Sequence, residues 1–477
     1  MMKKLYIFAA ILALCSCGRE SYDFTPQTCD APIYPDYTDV TVPVNIAPLN
    51  FVYTVPTAGK AVTTFSWDGG STSFKGAKVQ WNMRKWKKML AAAQGGAITV
   101  ESSELENPWH IYVSRDSIDY GINYRLIEPG YEVFSKTGIY ERNLSNFKER
   151  ALIENTGFDG CVNCHSYNRA DPNSFSLHIR GTHGATIIKD GAKMDAYNTK
   201  TDGTLGFCVY PYWHPSGRHI AYSTNATKQG FHVQPDKLIE VFDNASDLQV
   251  YDIQTNELIT APQVKVDSLW ETFPSFSPDG KTMYFCRAEQ KPIPSQVTEI
   301  RYNLYKVSFD PETGKIGDDV TLLVDAESEG KSISFPRPSY DGRFIMYTLS
   351  DYGQFSIWHH EADLWLLDLA TGESKCLDGA NSSDTESYHN FDSSSRWFVL
   401  ASRRDDGQFT RPYFAHIDED GNVTKAFMLP QKDPAVFYAS RFLSYNVPEF
   451  VKAPVKFNRV KAQKLITSDR RTDFKLR

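Results

Sequence analysis

The feature that most constrains the fold is a short segment that recurs through the second half of the chain. Clear copies occupy 210–222, 273–285 and 335–347, and each joins an aromatic-proline pair to a glycine-containing turn and an alternating apolar strand. A degenerate copy follows at 388–400, and a second hairpin signal comes after every copy. Because two hairpins supply the four strands of one blade, the repeat predicts a mainly β protein built as a β-propeller.

The turns of the repeat also carry a family resemblance. Pro-Ser-Gly-Arg at 215–218 and Pro-Asp-Gly-Lys at 278–281 are similar to the turns of TolB-like proteins, a branch of the WD-type β-propellers. The resemblance covers about residues 207–425. It implies the propeller fold and leaves the function open, since one fold hosts many activities.

Further strands are predicted on both sides of the clear copies. The segment 176–198, around a turn at Asp190-Gly191, indicates strands of an earlier blade, and 437–451 can supply closing strands. We therefore expect a closed ring of about six blades within 173–452. A C-terminal tail at 453–477 follows it.

The chain before the propeller has a different pattern. Short β-prone runs begin near residue 41, and 81–94 is the one strongly helical stretch, ended by a glycine pair. We predict a small, mainly β domain with one helix at 40–150. A loop at 151–172 then leads into the propeller.

An export signal opens the chain. A short basic region precedes ten apolar residues at 5–14, too few to span a bilayer. The segment resembles a bacterial lipoprotein signal, which implies removal of residues 1–16 and a diacylglycerol group on Cys17. An ordinary secretory signal is the alternative. Residues 17–39 predict a tether, so we expect an outer-membrane lipoprotein with its body in the periplasm or on the cell surface.

Composition limits the partners and the cysteine chemistry. The formal net charge is -7, and the sequence has no long block of basic residues. The sequence therefore gives no indication of the positively charged surface typical of proteins that bind nucleic acid. Exported chains meet oxidising conditions, so the other cysteines of the mature chain can pair or remain buried free thiols. Their spacing does not reveal the connectivity. These residues are Cys29, Cys208, Cys286 and Cys376.

A Cys-x-x-Cys-His motif at 161–165 lies in the predicted loop. This is the pattern that attaches a c-type haem, in which the thiols of Cys161 and Cys164 bond the porphyrin and His165 ligates the iron. A disulfide between the two cysteines and a zinc site are the alternatives. No cytochrome domain surrounds the motif, and the arrangement is similar to TolB-like propellers that carry an isolated haem motif.

A haem iron held by His165 needs a second axial ligand or an open face. The neighbouring histidines are His178, on an alternating strand, and His183, between threonine and glycine. We favour His183 as the second ligand because its surroundings predict greater exposure. The same histidines could complete a zinc site.

These patterns support three functional hypotheses. The first is a lipid-anchored propeller with covalent haem c that acts with a redox partner in electron transfer or redox sensing. The second is a non-enzymatic scaffold that binds an envelope protein or a glycan, with a structural cysteine pair. The third is a propeller hydrolase, which we place last because the chain contains no Gly-x-Ser-x-Gly motif, phosphate-binding loop or dinucleotide fingerprint. The oligomeric state is not readable.

Overall fold

The computed structural model describes residues 31–55, 57, 61–129, 136–231 and 238–477. The protein is mainly β, with 47% of its residues in strands and 9% in helices, as the sequence predicts. The predicted signal peptide, Cys17, Cys29 and the first part of the tether lie outside the described residues. Within the described ranges, no helix is long and apolar enough to cross a membrane.

Residues before 121 form two small sheets and one helix. A three-stranded sheet contains Ile33–Tyr34, Phe51–Tyr53 and Lys78–Val79. A five-stranded sheet has the order Val40–Pro43, Trp109–Ser114, Ala97–Ser102, Val62–Trp67 and Gly70–Lys75. The helix Met83–Ala92 begins after Asn82, whose side chain accepts hydrogen bonds from two backbone N–H groups, and it buries Trp86, Met89 and Leu90.

The described residues from 121 onward form six antiparallel sheets, which we number 1 to 6 and list from the inner strand outward. Sheet 1 contains Cys161–Tyr167, Ser174–Arg180, Ala185–Asp190 and Lys193–Asn198. Sheet 2 contains Cys208–Trp213, His219–Phe231, Ile239–Asp252 and Glu257–Ile259. Sheet 3 contains Leu269–Phe276, Thr282–Glu289, Asn303–Asp310, Lys315–Ile316 and Thr321–Val324. Sheet 4 contains Ser332–Pro338, Phe344–Ser350, Asp363–Asp368 and Ser374–Cys376. Sheet 5 contains Glu386–Phe391, Trp397–Ser402, Arg411–His416 and Phe427–Met428. Sheet 6 contains Ser444–Val451, Gly121–Ile127, Gly138–Asn143 and Glu149–Glu154.

The inner strands contact one another in a closed cycle. Each packs against the inner strands of the preceding and following sheets, and the inner strand of sheet 6 contacts that of sheet 1. A single parallel pairing, Ser246 with Trp270, also joins sheets 2 and 3. The four repeat copies supply the inner and second strands of sheets 2 to 5, so their predicted strand–turn–strand form is confirmed.

Sheet 6 combines distant parts of the chain, and this differs from the predicted boundary at residue 150. Its inner strand, Ser444–Val451, pairs with Gly121–Ile127. The three strands from residue 121 onward therefore belong to the cycle of sheets and not to an N-terminal domain. The prediction missed this because the partner strand comes at the other end of the sequence. The proposed closing role of 437–451 applies to its second part, since Pro434–Ala439 is a short helix.

The remaining elements connect or cover the sheets. The C-terminal segment begins with the helix Arg459–Thr467, and its last strands extend two outer edges. Thr472–Asp473 pairs with sheet 1, and Lys475–Leu476 pairs with sheet 2. Short 3-10 helices occur at Asn155–Gly157, Pro262–Val264, Val297–Glu299 and Glu327–Glu329. The N-terminal sheets share one apolar core with sheets 5 and 6, in which Trp86 and Phe51 lie in the same cluster as Trp397 and Tyr445.

Candidate functional site

The Cys-x-x-Cys-His motif lies in a strand and not in the predicted loop. Cys161–Tyr167 is the inner strand of sheet 1 and pairs with Ser174–Arg180. The register of this pair shifts between Val162 and His165. Two residues, Asn163 and Cys164, therefore oppose one residue of the partner strand, which is the definition of a β-bulge. The motif is thus part of the cycle of inner strands.

A bulge with two residues against one also occurs in the other five inner strands. In sheets 2 to 4 the register shift falls at an aromatic-proline pair, such as Tyr210-Pro211. It falls at Tyr388-His389 in sheet 5 and at Val447-Pro448 in sheet 6. Cys164 thus occupies the place that proline has in four sheets. The Cys-x-x-Cys-His segment is a divergent copy of the repeat.

Aromatic rings from these bulges close the centre of the cycle. The ring centroids of Tyr210 and Phe273 are 4.5 Å apart, those of Phe273 and Phe335 are 4.5 Å apart, and those of Phe335 and Tyr388 are 4.8 Å apart. All four residues have positive φ angles between 41° and 55°. Such angles are costly for bulky residues and persist only where surrounding packing imposes them. The four rings therefore pack into one cluster, which we call the aromatic plug.

His165 is buried in an apolar contact between sheets 6 and 1. Its exposed fraction is 3%, and neither ring nitrogen makes a well-aligned hydrogen bond, although backbone groups of Asn123 and Val447 lie close. Burial, with a smaller effect of Arg125, lowers the pKa of His165 to about 3. The imidazole is therefore neutral at physiological pH. The cavity beside it has a volume of about 10 Å³, enough for about one water molecule.

This environment does not fit a haem. An iron ligand needs a ring nitrogen directed at an open site large enough for the porphyrin, whereas His165 is enclosed by Tyr167, Phe175 and Leu177. Cys161 is also buried, and Cys164 is half-buried beside Tyr210. In this conformation, the three motif residues serve the packing of the inner strand.

The two predicted second ligands lie elsewhere. His165 is opposite Leu177 in the sheet, so the next residue, His178, points to the other face and cannot share an iron with His165. Burial lowers the pKa of His178 to about 3, and its Nδ1 lies 3.0 Å from Thr186 Oγ1. His183 Nδ1 lies 2.8 Å from the Asp469 carboxylate. His183 therefore links the C-terminal segment to sheet 1.

The described cysteines are free thiols in the structure. Burial raises the pKa of Cys208 to about 12 and that of Cys286 further, so both thiols stay protonated. Burial also raises the pKa of Cys376 to about 11. Within the described part of the chain, no three His, Cys, Asp or Glu side chains are grouped so as to hold a metal ion.

A charged cluster that the sequence did not reveal joins sheets 2 and 4. His359 lies between two carboxylates, with Nε2 3.5 Å from Glu240 and Nδ1 3.3 Å from Glu361. Burial acts to lower the pKa of His359, but the two carboxylates outweigh it and raise the pKa. The Tyr352 hydroxyl also donates to Glu240, at 2.9 Å. The adjacent His360 contacts Asp384 instead, so the two neighbouring histidines serve different carboxylates.

The face at which the inner strands begin, here called the loop face, carries the long connections. These include the segments 290–302, 351–362 and 403–410, and the strand His219–Phe231 ends on the same face. Large apolar side chains are exposed on this face: Phe442 at 69%, Phe231 at 50% and Phe207 at 39%. The loop face therefore combines variable connections with apolar surface.

The comparisons with known proteins leave the function open. No protein-family model matches the sequence, and no curated protein matches it. TolB from Acinetobacter baumannii shares 12% identity over 74% of this chain and 86% of that chain, with a TM-score of 0.40. A protein assigned to TolB from Agrobacterium tumefaciens shares 16% identity over 67% and 94%, with a TM-score of 0.37. Puromycin hydrolase shares 11% identity over 65% and 47%, also with a TM-score of 0.37. The structural neighbours thus include TolB-like β-propeller proteins.

Proposed function

We propose that this chain is a non-enzymatic binding protein of the cell envelope that holds a partner protein on its loop face. In this proposal, the six sheets are the six blades of one closed propeller. The observation that carries the proposal is the exposure of Phe442, just before the inner strand of sheet 6. A large aromatic side chain in water is a common anchor of protein interfaces.

The arrangement of the propeller supports a face and not a channel as the binding site. The aromatic plug of Phe273, Phe335 and their neighbours fills the centre. Functional residues are commonly carried by loops on a rigid scaffold, and the long connections meet at the loop face. Two acid–base residues at this face, Glu240 and His359, are buried and paired with each other. This pairing favours a structural role for them over hydrolysis.

Site-specific crosslinking tests the proposal. A photo-reactive residue replaces Phe442 in the full-length chain, expressed in a bacterial envelope. The matched control places it at Leu322, which is 43% exposed on an outer strand of sheet 3. We expect one protein adduct at position 442 and none at 322. The purified partner should then bind F442A at least tenfold more weakly than the unmodified chain. Equal adducts at both positions, or unchanged affinity of F442A, would refute the proposal.

Lipid anchoring at Cys17 belongs to the same proposal. The lipoprotein-like signal supports removal of residues 1–16, attachment to the outer membrane, and a body in the periplasm or on the cell surface. Metabolic labelling with a fatty acid tests it. Label that is present in the unmodified chain and absent from C17S is the expected result, whereas equal labelling would contradict the anchor.

Covalent haem with electron transfer is the second candidate function, and the motif at Cys161, Cys164 and His165 is what supports it. The burial of His165 opposes it, so we expect a colourless protein even where haem-attachment machinery is active. A haem stain after denaturing electrophoresis decides between the two. A stained band that disappears in the C161A/C164A variant would establish haem and require an inner strand different from the one described here.

A further inference from the structure

A groove outside the propeller face lies between the five-stranded N-terminal sheet and sheet 5. Its volume is about 700 Å³, within the range of small-molecule sites. Trp109–Ser114 forms one wall, through Tyr112. The end of the Arg411–His416 strand and the turn that follows it form the other wall. We call it the Tyr112 groove.

The first wall is a flat aromatic platform. Tyr112 is 44% exposed, and its neighbours across the sheet are the smaller Thr41 and Ala97, which also line the groove. The ring of His110 lies 5.9 Å from that of Tyr112 at an interplanar angle of 25°. One ring face of Tyr112 can therefore receive a flat apolar surface without rearrangement.

The second wall presents polar groups that are already held in place. The Asp418 carboxylate accepts the backbone N–H of Asp420 at 2.9 Å and that of Asn422 at 2.8 Å. The Asn422 side-chain amide donates to Asp418 at 2.9 Å. His416 Nε2 lies 2.8 Å from the Asp116 carboxylate, which fixes the imidazole. Prepositioned donors and acceptors reduce the entropy that a ligand must lose on binding.

A positively charged side chain, that of Arg115, lies at the edge of the groove. Arg115 follows the Tyr112 strand and lines the same space. Among the residues that the structure describes, its guanidinium has no hydrogen-bond or ion-pair partner. A free guanidinium next to an aromatic platform favours a ligand that carries a carboxylate.

We propose that the Tyr112 groove binds a pyranose chain of a polysaccharide, with preference for uronic acids. The C–H face of a sugar ring would pack on Tyr112, its hydroxyls would bond Asp418 and Asn422, and Arg115 would pair with a uronate carboxylate. This site is separate from the loop face and does not depend on the partner protein proposed there. Either proposal can fail without the other.

Saturation-transfer NMR with two hexasaccharides, hexagalacturonate and xylohexaose, tests the inference. We expect saturation of the pyranose protons of both by the unmodified protein, with at least threefold tighter binding of hexagalacturonate. The variant Y112A should lose the signal from both sugars, and R115Q should lose only the preference. L322A is the matched control, since it removes an exposed apolar side chain elsewhere and should change nothing. Absence of saturation with the unmodified protein, or an unchanged signal with Y112A in a folded sample, would overturn the proposal.

Discussion

Replacement of His165 by leucine should stabilise the protein. The imidazole lies in an apolar contact, and neither ring nitrogen makes a well-aligned hydrogen bond to the nearby backbone of Asn123 and Val447. Because leucine has a similar volume and no polar atom, H165L should avoid a desolvation cost of about 1–3 kcal/mol at pH 7. This result would be unusual for a residue in a recognised cofactor motif.

The stability gained in H165L should increase as the pH falls. The direction of this change follows from the difference between the folded-state and unfolded-state pKa of His165. The folded-state pKa of His165 is about 3 against 6.5 for an ordinary histidine, so it is depressed. Between these values the unfolded chain binds a proton that the folded chain excludes, and stability falls as the pH falls. From pH 7 to pH 5 the unmodified protein should lose about 2 kcal/mol through this residue, since one pKa unit corresponds to about 1.4 kcal/mol. The variant H165L should not have this loss.

Urea denaturation at pH 7 and pH 5, followed by tryptophan fluorescence, measures both effects. The matched control is H110L, which changes a histidine whose side chain is 40% exposed. We expect H165L to be more stable than the unmodified protein at both pH values, by a larger margin at pH 5, and H110L to bring no gain in stability at pH 7. If H165L were less stable at pH 7, or if its margin did not change with pH, the described burial of His165 would be wrong.

Three further predictions concern other parts of the molecule. The variant F335A removes a ring of the aromatic plug and should lower the free energy of unfolding by about 3–5 kcal/mol in urea titrations; a loss below about 1 kcal/mol would show that the plug is not tightly packed. The variant E240Q removes one of the carboxylates that raise the pKa of His359, so the NMR titration midpoint of His359 should move to lower pH. An unchanged midpoint would show that Glu240 is not the main partner of His359. Phe474 stacks on Tyr251 with ring centroids 3.7 Å apart, so F474A should speed hydrogen exchange in the outer strands of sheets 1 and 2 while the inner strands keep their protection; uniform acceleration would contradict a local role.

Local repetition explains what the sequence could predict about the fold. The aromatic-proline pairs at 210, 273 and 335 and the glycine turns after them identify inner strands without any knowledge of their partners. Sheet 6 lacks this signal. Its strand Gly121–Ile127 is an ordinary β-prone segment, and only pairing with Ser444–Val451 assigns it to the propeller-like cycle. Contacts between distant segments leave no periodic pattern in a single sequence.

The surroundings of the Cys-x-x-Cys-His motif were not predictable for a different reason. Residues 161–165 match a cofactor-attachment motif, which drew attention away from their equivalence to the repeat. The equivalence is also hard to see because cysteine replaces the usual proline and the following turn has no glycine. Burial is a property of the assembled sheets, and so the enclosed imidazole of His165 could not be predicted. The same holds for the pairing of Glu240 with His359 and for the groove at Tyr112.

The composition of sheet 6 from both ends of the chain has a consequence for biogenesis. The strands from residue 121 to 154 emerge early in synthesis, yet their inner edge has no partner until residue 451 has followed. Unpaired strand edges invite association with other chains, and pairings between distant segments form slowly. We therefore expect a chaperone to protect the chain until residue 451 has been made, and a product cut before residue 444 to aggregate instead of forming a smaller folded protein.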